Sequence, residues 1–353
     1  MKQLSKTTKM NMSIYGIVVL AYLVAEGLMV TGQMSSLLKG LLVPLCVYVI
    51  LAVSLNLTVG ILGELSLGHA GFMCVGAFSS AFFSKCMEDV ITVSLLRFAI
   101  AILVGALTAA VFGIIIGIPV LRLRGDYLAI VTLAFGEIIK NLVNVIFIGR
   151  DSAGFHFSMK DSMSLHLDAD GEVLMNGPQG ITGTPGDSTF TIGIIMLIIS
   201  LIIILNLINS RTGRAVMAIR DNRIAAESVG INITKYKLMA FTISASIAGA
   251  AGALYAHNLS TLTATPKNFG YNMSIMILVF VVLGGIGSIR GSIIAAVILT
   301  LLPELLRGLK DYRMLIYAVV LIVMMIINWS PKAIEYKERI MEKMRGRRKK
   351  EAS

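Results

Sequence analysis

Long apolar runs dominate the chain, and short polar or glycine-rich stretches separate them. Several of these runs approach the length of about 20 residues that a helix needs to cross a bilayer. Ten runs can be distinguished, at residues 13–30, 37–59, 66–84, 93–120, 126–148, 190–208, 238–257, 271–289, 291–306 and 313–329. A chain in lipid must satisfy its backbone hydrogen bonds internally, so the pattern predicts an all-α, polytopic transmembrane helical bundle of about ten spans.

The composition agrees with this class of protein. Of the 353 residues, 56% are hydrophobic and 14% are charged, and the mean hydropathy is +0.83. A soluble domain carries about 25% charged residues. We therefore interpret residues 1–353 as a single transmembrane domain whose main surroundings are the lipid bilayer.

The charges predict how the chain crosses the membrane. Basic residues cluster at the N-terminus, around Arg122, in the 209–237 loop and in the 330–353 tail, whereas acidic residues dominate the 149–189 loop. Cytoplasmic loops carry an excess of Lys and Arg. We therefore expect both termini and the 209–237 loop in the cytoplasm and the 149–189 loop outside. The same rule explains the net charge of +11 without a nucleic-acid partner.

One short run leaves an alternative open. Residues 291–306 contain Pro303 and Glu304, and a re-entrant segment there would force the C-terminus outside. The basic composition of the tail argues against that outcome.

Small residues recur every four positions in two stretches. The first has Ala245, Gly249 and Ala253, and the second has Gly287, Gly291 and Ala295 as well as Gly284, Ser288 and Ser292. Such spacing lets helix backbones approach closely in lipid. The long 149–189 loop instead combines Gly and Pro at a density that predicts turns rather than a core.

The polar segment 209–237 has an internal order of its own. Residues 212–229 contain few helix breakers, so the pattern predicts a helix that ends at Gly230. One side of that helix would hold Val216, Ile219, Ala226 and Val229. A solvated loop that merely obeys the charge rule is the alternative.

The glycine-rich stretch GILGELSLGHAGF, residues 60–72, interrupts the apolar pattern. Non-helical backbone at membrane depth is tolerated only where protein shields it or water reaches it. Ionisable residues there, here Glu64 and His69, are functional candidates. The alternative is a tight cytoplasmic turn with Glu64 in water. Further along, Glu137 and Lys140 lie one helical turn apart, where they can pair.

Several strings resemble one family. Ala225, Ala226 and Glu227, followed by Gly230, resemble the coupling loop of ABC importer permeases. The strings LSLGHAGF, LRLRGDYLAIVTLAFGEI, AIRDNRIAAESVGIN and LGGIGSIRG resemble the branched-chain amino acid permeases of the LivM type. The resemblance covers about residues 40–330, and the outer loop at 155–175 is longer than the family leads us to expect.

The resemblance implies a permease subunit of an ATP-driven importer in the cytoplasmic membrane of a bacterium, with a fold like the vitamin B12-type and ribose-type permeases. An extracytoplasmic binding protein would deliver leucine, isoleucine or valine. A second, homologous permease and two ATP-binding cassette subunits would complete the complex. ATP and magnesium would bind to those subunits, because this chain has no phosphate-loop motif, and no cofactor is expected on it.

The resemblance and the pattern together define two sets of site residues. The residues implied in coupling to the ATPase are Arg220, Ala225, Ala226, Glu227 and Gly230. The candidates for the translocation path are Glu64, Ser66, Gly68, His69, Gly71, Glu137 and Asn141.

Other functions stay open at this point. Urea, other amino acids or a simple sugar could be the substrate. A secondary transporter would show broken half-helices in repeated halves and an ion site of paired carboxylates, whereas the sequence shows one glycine-broken segment. A membrane enzyme would need a constellation such as H-E-x-x-H, but the histidines are scattered, so no catalytic residue is assigned. Neither the histidines nor the cysteines have metal-ligand spacing.

Overall fold

The structure is a computed structural model that describes residues 6–32, 34–123, 125–152, 154–168, 171–306 and 312–329. The basic tail predicted at 330–353 lies outside the described residues, as do Lys2 and Arg124.

Each predicted apolar run contains one helix, and shorter helices lie between some of them. Numbered in chain order, the helices are α1 Lys6–Val30, α2 Ser36–Asn56, α3 His69–Cys86, α4 Ser94–Val120, α5 Asp126–Val143, α6 Phe190–Asn209, α7 Arg211–Asp221, α8 Arg223–Ser228, α9 Ile233–Ala256, α10 Pro266–Phe269, α11 Tyr271–Gly284, α12 Ile289–Leu305 and α13 Arg313–Trp329.

Five helical stretches of the described chain are long and apolar enough to cross a membrane: Ser36–Leu62, Ser94–Val120, Phe190–Asn209, Ile233–Ala256 and Pro266–Gly284. The helical membrane bundle is therefore confirmed, and the number of ten spans stays a prediction.

The buried helix α9 packs closely against α3 and α4, as its small residues predict. A Cβ atom added to Gly105 of α4 would lie 3.3 Å from Ala253 Cβ, and one added to Gly113 would lie 2.9 Å from Ala245 Cβ. A Cβ on Gly249 would overlap the backbone of α4 at Gly105. The absence of side chains at these crossings lets the backbones pack in direct contact.

The second set of small residues forms a tight hairpin of α11 and α12. A Cβ on Gly291 would overlap the carbonyl of Gly284, so the two helices cross there backbone to backbone. The turn between them contains Gly285 at φ +92° and Gly287 at φ +82°, a left-handed region that favours glycine.

The outer segment contradicts the prediction of turns without a core. It contains a three-stranded antiparallel sheet in the order β2-β1-β3, and Leu165, Leu174 and Met175 are buried there. A second, two-stranded sheet joins β4 to β5. The strands are β1 Phe147–Asp151, β2 Gly154–Ser158, β3 Glu172–Asn176, β4 Ile181–Thr182 and β5 Thr261–Leu262.

The run predicted at 126–148 is also shorter than expected as a helix. Helix α5 ends at Val143, and Phe147 and Ile148 already belong to β1. Aromatic and β-branched residues suit a strand, and apolar content alone does not distinguish a strand from the end of a helix.

Candidate functional site

The helix break predicted at 60–72 is present. Helix α2 continues through a π-helical turn, Leu57–Leu62, and stops at Gly63, which has φ +80°. No regular secondary structure follows until His69 begins α3. We call residues 63–68 the unwound segment. A π-helical turn inside a helix often marks a functional position.

Glu64 in the unwound segment does not lie in water, which contradicts the alternative of a simple solvated turn. Its carboxylate forms an ion pair with Lys237 Nζ of α9, and the two side chains are 14% and 8% exposed. A charge removed from water is tolerated only with a partner, so this pair fixes the unwound segment to α9.

His69 is buried at the start of α3. Its Nε2 atom lies 2.7 Å from Ser54 Oγ of α2. The carbonyl of Ser54 accepts a hydrogen bond from Ser244 Oγ of α9, at 2.6 Å. The histidine is therefore part of a hydrogen-bonded contact among three helices.

Side chains from neighbouring helices also satisfy the irregular backbone. Leu67 N–H donates to Thr132 Oγ1 of α5 at 3.0 Å, and Ala70 N–H donates to Ser274 Oγ of α11 at 3.1 Å. Buried backbone donors need such partners, because leaving one unpaired costs about 1–3 kcal/mol. Ser66 is also buried, and its hydroxyl has no hydrogen-bond partner among the described residues.

Two glycines allow α5 to pack closely against the end of the unwound segment and the start of α3. A Cβ on Gly68 would overlap the carbonyl of Thr132, and a Cβ on Gly71 would lie 2.8 Å from Gly136 Cα. Glycine at these positions therefore reflects backbone contact rather than turn geometry.

The ion pair predicted on α5 is present, between Lys140 Nζ and Glu137 Oε2. The other carboxylate oxygen of Glu137 accepts from Tyr271 N–H at the start of α11, at 2.7 Å. Asn141, by contrast, is exposed. The structure thus brings Glu137 into the bundle and leaves Asn141 on its surface.

The prediction of a single helix at 212–229 is wrong. The segment is divided into α7 and α8 at Asn222, whose backbone is extended at φ −153° and ψ 103°. The Asn222 side chain accepts from Ala225 N–H at 3.0 Å and so caps the second helix. Gly230 has φ +83°, as expected for a residue that ends a helix.

The division changes which residues of this segment are available to a partner. Val216, Ile219 and Ala226 are buried as predicted, but Val229 is 75% exposed because α8 ends before it. Ala226 packs with Ile219 and Ile233 of the same chain, so it is not presented outwards. Three of the proposed coupling residues, Ala225, Glu227 and Gly230, are exposed.

Arg220 is exposed, but part of its guanidinium group contacts the bundle. Its Nη1 donates to the carbonyl oxygen of Gly60 at 2.9 Å. It borders a polar cavity of about 290 Å³. The cavity is lined by Leu62, Gly63, Glu64, Gly125, Ile219, Arg220, Arg223 and Lys237.

Sequence reasoning missed Lys237, Thr132, Ser274 and Ser54 as partners of the break. In the sequence, Lys237 is one of the basic residues of the 209–237 loop and indicates only the topology, and the other three are small polar residues inside apolar runs. A lone Ser or Thr in a helix bonds as readily to its own backbone, so no pattern singles it out.

The outer segment contains local contacts between polar and charged side chains. His156 Nε2 lies 2.9 Å from Asp151 Oδ2, and hydrogen bonds from Ser164 hold the pKa of the Asp161 carboxyl below its usual value. Within the described ranges, no three His, Cys, Asp or Glu side chains are grouped to hold a metal ion. The three cysteines, Cys46, Cys74 and Cys86, are buried free thiols.

Comparison with known families gives a match over most of the chain. The family model described as "Branched-chain amino acid transport system / permease component" matches residues 36–327. Two similar relatives carry the name high-affinity branched-chain amino acid transport system permease protein LivM, one from Salmonella typhimurium (strain LT2) and one from Escherichia coli (strain K12). Each is 35% identical over 297 residues, which is 82% of this chain and 67% of the relative.

A more distant similarity covers a smaller part. The ribose import permease protein RbsC of Escherichia coli (strain K12) is 30% identical over 127 residues, 34% of this chain and 39% of the relative. No solved structure matches the chain significantly.

Proposed function

Because this chain belongs to the family of branched-chain amino acid transport permeases, we propose that it forms part of the membrane pathway of an ATP-driven importer for leucine, isoleucine and valine. The family match over residues 36–327 is the observation that carries the proposal. The chain is an integral membrane permease component and not itself an enzyme. A component of this kind works with an ATPase and a substrate-binding protein.

The finer composition of the complex is part of the proposal. Two ATP-binding cassette subunits hold ATP and magnesium, a second, homologous permease pairs with this chain, and the binding protein docks outside. The complex lies in the cytoplasmic membrane with both termini of this chain in the cytoplasm. The charge distribution supports that orientation.

Transport then follows from two conformations of the bundle. ATP binding on the partner subunits biases them, and the substrate binds the two conformations with different affinity. The path borders the unwound segment at Glu64, Ser66, Gly68, His69 and Gly71. Close backbone contacts at the glycines, together with the buried ion pairs, restrict this region to a few packing arrangements. Such a region suits a bundle that switches between conformations.

The coupling surface consists of α8 and the turn that follows it. We call α7 and α8 together the coupling helices, because they carry this surface. Ala225, Glu227 and Gly230 face away from the bundle, and Glu227 provides a carboxylate in an otherwise basic segment. Such a carboxylate is suited to an Arg or Lys on the ATPase.

Reconstituted uptake tests the proposal. The chain is purified with its ATPase, permease and binding-protein partners in proteoliposomes, and uptake of labelled leucine, isoleucine, valine, urea and ribose is compared. We expect ATP-dependent uptake of the three branched-chain amino acids only. The chain without its ATPase partners is the control and should hydrolyse no ATP.

Two outcomes would contradict the proposal. Uptake driven by an ion gradient without ATP would make the chain a secondary transporter. ATP-dependent uptake of ribose or urea in preference to leucine would keep the architecture and replace the substrate.

A further inference from the structure

The C-terminal end of α2 with its π-helical turn is capped by a residue from another part of the chain. The last carbonyl groups of a helix have no donor within the helix, and that end carries a partial negative charge. Gly60 supplies one of these carbonyls, and Arg220 of α7 donates to its oxygen at 2.9 Å. A guanidinium is well suited to this position because it is always charged and carries several donors.

The rest of the Arg220 side chain also makes contacts within the chain. Its Nε and Nη2 atoms donate to Asp221 Oδ1 at 3.0 and 2.9 Å. Its aliphatic part lies over Gly63, where an added Cβ would be 2.5 Å from Arg220 Cγ. Gly63 also has φ +80°, so glycine is favoured there both by conformation and by space.

The other side of the π-helical turn touches the turn between α11 and α12. A Cβ on Gly60 would lie 2.6 Å from Gly287 Cα. Gly287 N–H donates to Asn56 Oδ1 at 2.9 Å, and Asn56 Nδ2 donates to Ser292 Oγ at 2.8 Å. The π-helical turn therefore contacts α7 on one side and the α11–α12 turn on the other.

We infer that Arg220 is a positioning residue that transmits movement of α7 and α8 to the π-helical turn, to the unwound segment and, through Gly60, to the α11–α12 turn. The inference rests on the proposed function, because an ATPase must move α7 and α8. Lys237 of α9 forms a second contact with this region through Glu64, so the region around the unwound segment is held by both α7 and α9.

A purely stabilising cap would behave differently from a transmitting one. Loss of a stabilising cap lowers the amount of folded complex but leaves the yield of substrate per ATP unchanged. Loss of a transmitting contact lowers that yield even when the complex is intact. The number of substrate molecules imported per ATP hydrolysed therefore separates the two roles.

The chain offers a matched control on the same helix. Arg214 is also an exposed arginine of α7, but its Nη1 donates to Asn209 O at 3.2 Å, at the end of the preceding helix α6. Arg220→Gln and Arg214→Gln remove the same charge, and only the first removes the contact with the π-helical turn.

The experiment uses the complete importer with its partner subunits in nanodiscs. Substrate import per ATP is measured for the parent, Arg220→Gln, Arg220→Lys and Arg214→Gln. Hydrogen–deuterium exchange is followed at residues 57–66 and 211–228, with and without a non-hydrolysable ATP analogue. Removing a hydrogen bond from a charged group changes an equilibrium by roughly ten-fold or more. We expect Arg220→Gln to lower import per ATP by about that factor.

The exchange data should show the break in transmission directly. In the parent, the analogue alters protection at both segments, whereas in Arg220→Gln only 211–228 still responds. Arg220→Lys, which keeps the positive charge and a group that can donate to the Gly60 carbonyl, should recover part of the yield, and Arg214→Gln should match the parent.

Three results would overturn the inference. The first is that Arg220→Gln imports as much substrate per ATP as the parent. The second is that exchange at 57–66 responds to the nucleotide analogue in Arg220→Gln as it does in the parent. The third is that, in the parent itself, 211–228 responds to the analogue and 57–66 does not. The last needs no variant, so a poorly assembling Arg220→Gln does not leave the question open. Absence of ATP-driven uptake in the parent would instead refute the proposed function.

Discussion

Buried ion pairs at the helix break show what a charged residue needs inside an apolar bundle. Glu64 and Lys237 are almost fully enclosed, and each is tolerated because it neutralises the other. Their partnership was not readable from the sequence, because 173 positions separate them. The ion pair of Glu137 with Lys140 could be predicted, since helical spacing alone brings residues three apart together.

Breaking the buried pair on one side should be costly. Lys237→Met leaves the Glu64 carboxylate uncompensated, and such a change costs about 3–5 kcal/mol. We expect a lowered thermal unfolding temperature for the solubilised importer and partial recovery in the double variant Glu64→Gln/Lys237→Met.

An ion pair at the surface supplies the control for this prediction. Arg150 and Asp89 also form an ion pair, but their side chains are 43% and 82% exposed. Asp89→Asn should therefore change the unfolding temperature little, because exposed pairs contribute roughly 0–1 kcal/mol. An equal loss in Asp89→Asn and Lys237→Met would contradict the role given to burial.

Backbone contact at Gly68 gives a second prediction at this scale. In Gly68→Leu, the new side chain would overlap the carbonyl of Thr132, a backbone atom that cannot rotate away. We expect uptake to be abolished while assembly of the importer stays detectable by co-purification. Gly40→Leu is the control, because no atom lies within 4 Å of a Cβ added at Gly40. Normal uptake in Gly68→Leu would favour a turn without a role in the path.

At the scale of elements, apolar runs predicted helices well and their ends poorly. Each run holds a helix because a backbone in lipid has few other ways to satisfy its hydrogen bonds. Outside lipid that constraint disappears, so the end of α5 at Val143 and the strands beyond it were missed. The division at Asn222 was missed for another reason. Asn is tolerated within a helix and also caps one, and only the structure shows which role it takes.

A further prediction concerns the two coupling helices together. Glu227→Arg replaces the exposed negative charge by a positive one, and a charge pair broken at an interface costs roughly 2–5 kcal/mol. Gly230→Val opposes the φ of +83° that ends this segment. We expect both variants to insert into the membrane and to lose stimulation of ATPase activity by the loaded binding protein, together with uptake.

A charge reversal elsewhere in the loop is the comparison for these variants. Lys235 lies after Gly230, in the first turn of α9, and is exposed. Lys235→Glu should retain stimulation. Parental transport by both Glu227→Arg and Gly230→Val would show that α8 does not contact the ATPase.

At the scale of the whole molecule, the unwound segment, the α11–α12 turn and the coupling helices meet at one end of the bundle. The π-helical turn contacts both Arg220 and the α11–α12 turn, whereas the sheets adjoin the opposite ends of α3 and α5. Lys85, near the end of α3, pairs with Glu172 of β3. The bundle therefore has one end with α7 and α8 and another end with the sheets, and the positive-inside rule predicts that the first end lies in the cytoplasm.

This assignment predicts which end an impermeant thiol reagent reaches in intact cells. The natural cysteines are all buried, so the background should be low. Met163 in the outer segment is 88% exposed and Ile224 of α8 is 81% exposed, which makes Met163→Cys and Ile224→Cys a matched pair. We expect labelling of Met163→Cys in intact cells and of Ile224→Cys only after the membrane is opened. Labelling of Ile224→Cys from outside would invert the topology. The coupling helices would then lie outside, beyond the reach of a cytoplasmic ATPase, and the connection through Arg220 would have no source of movement.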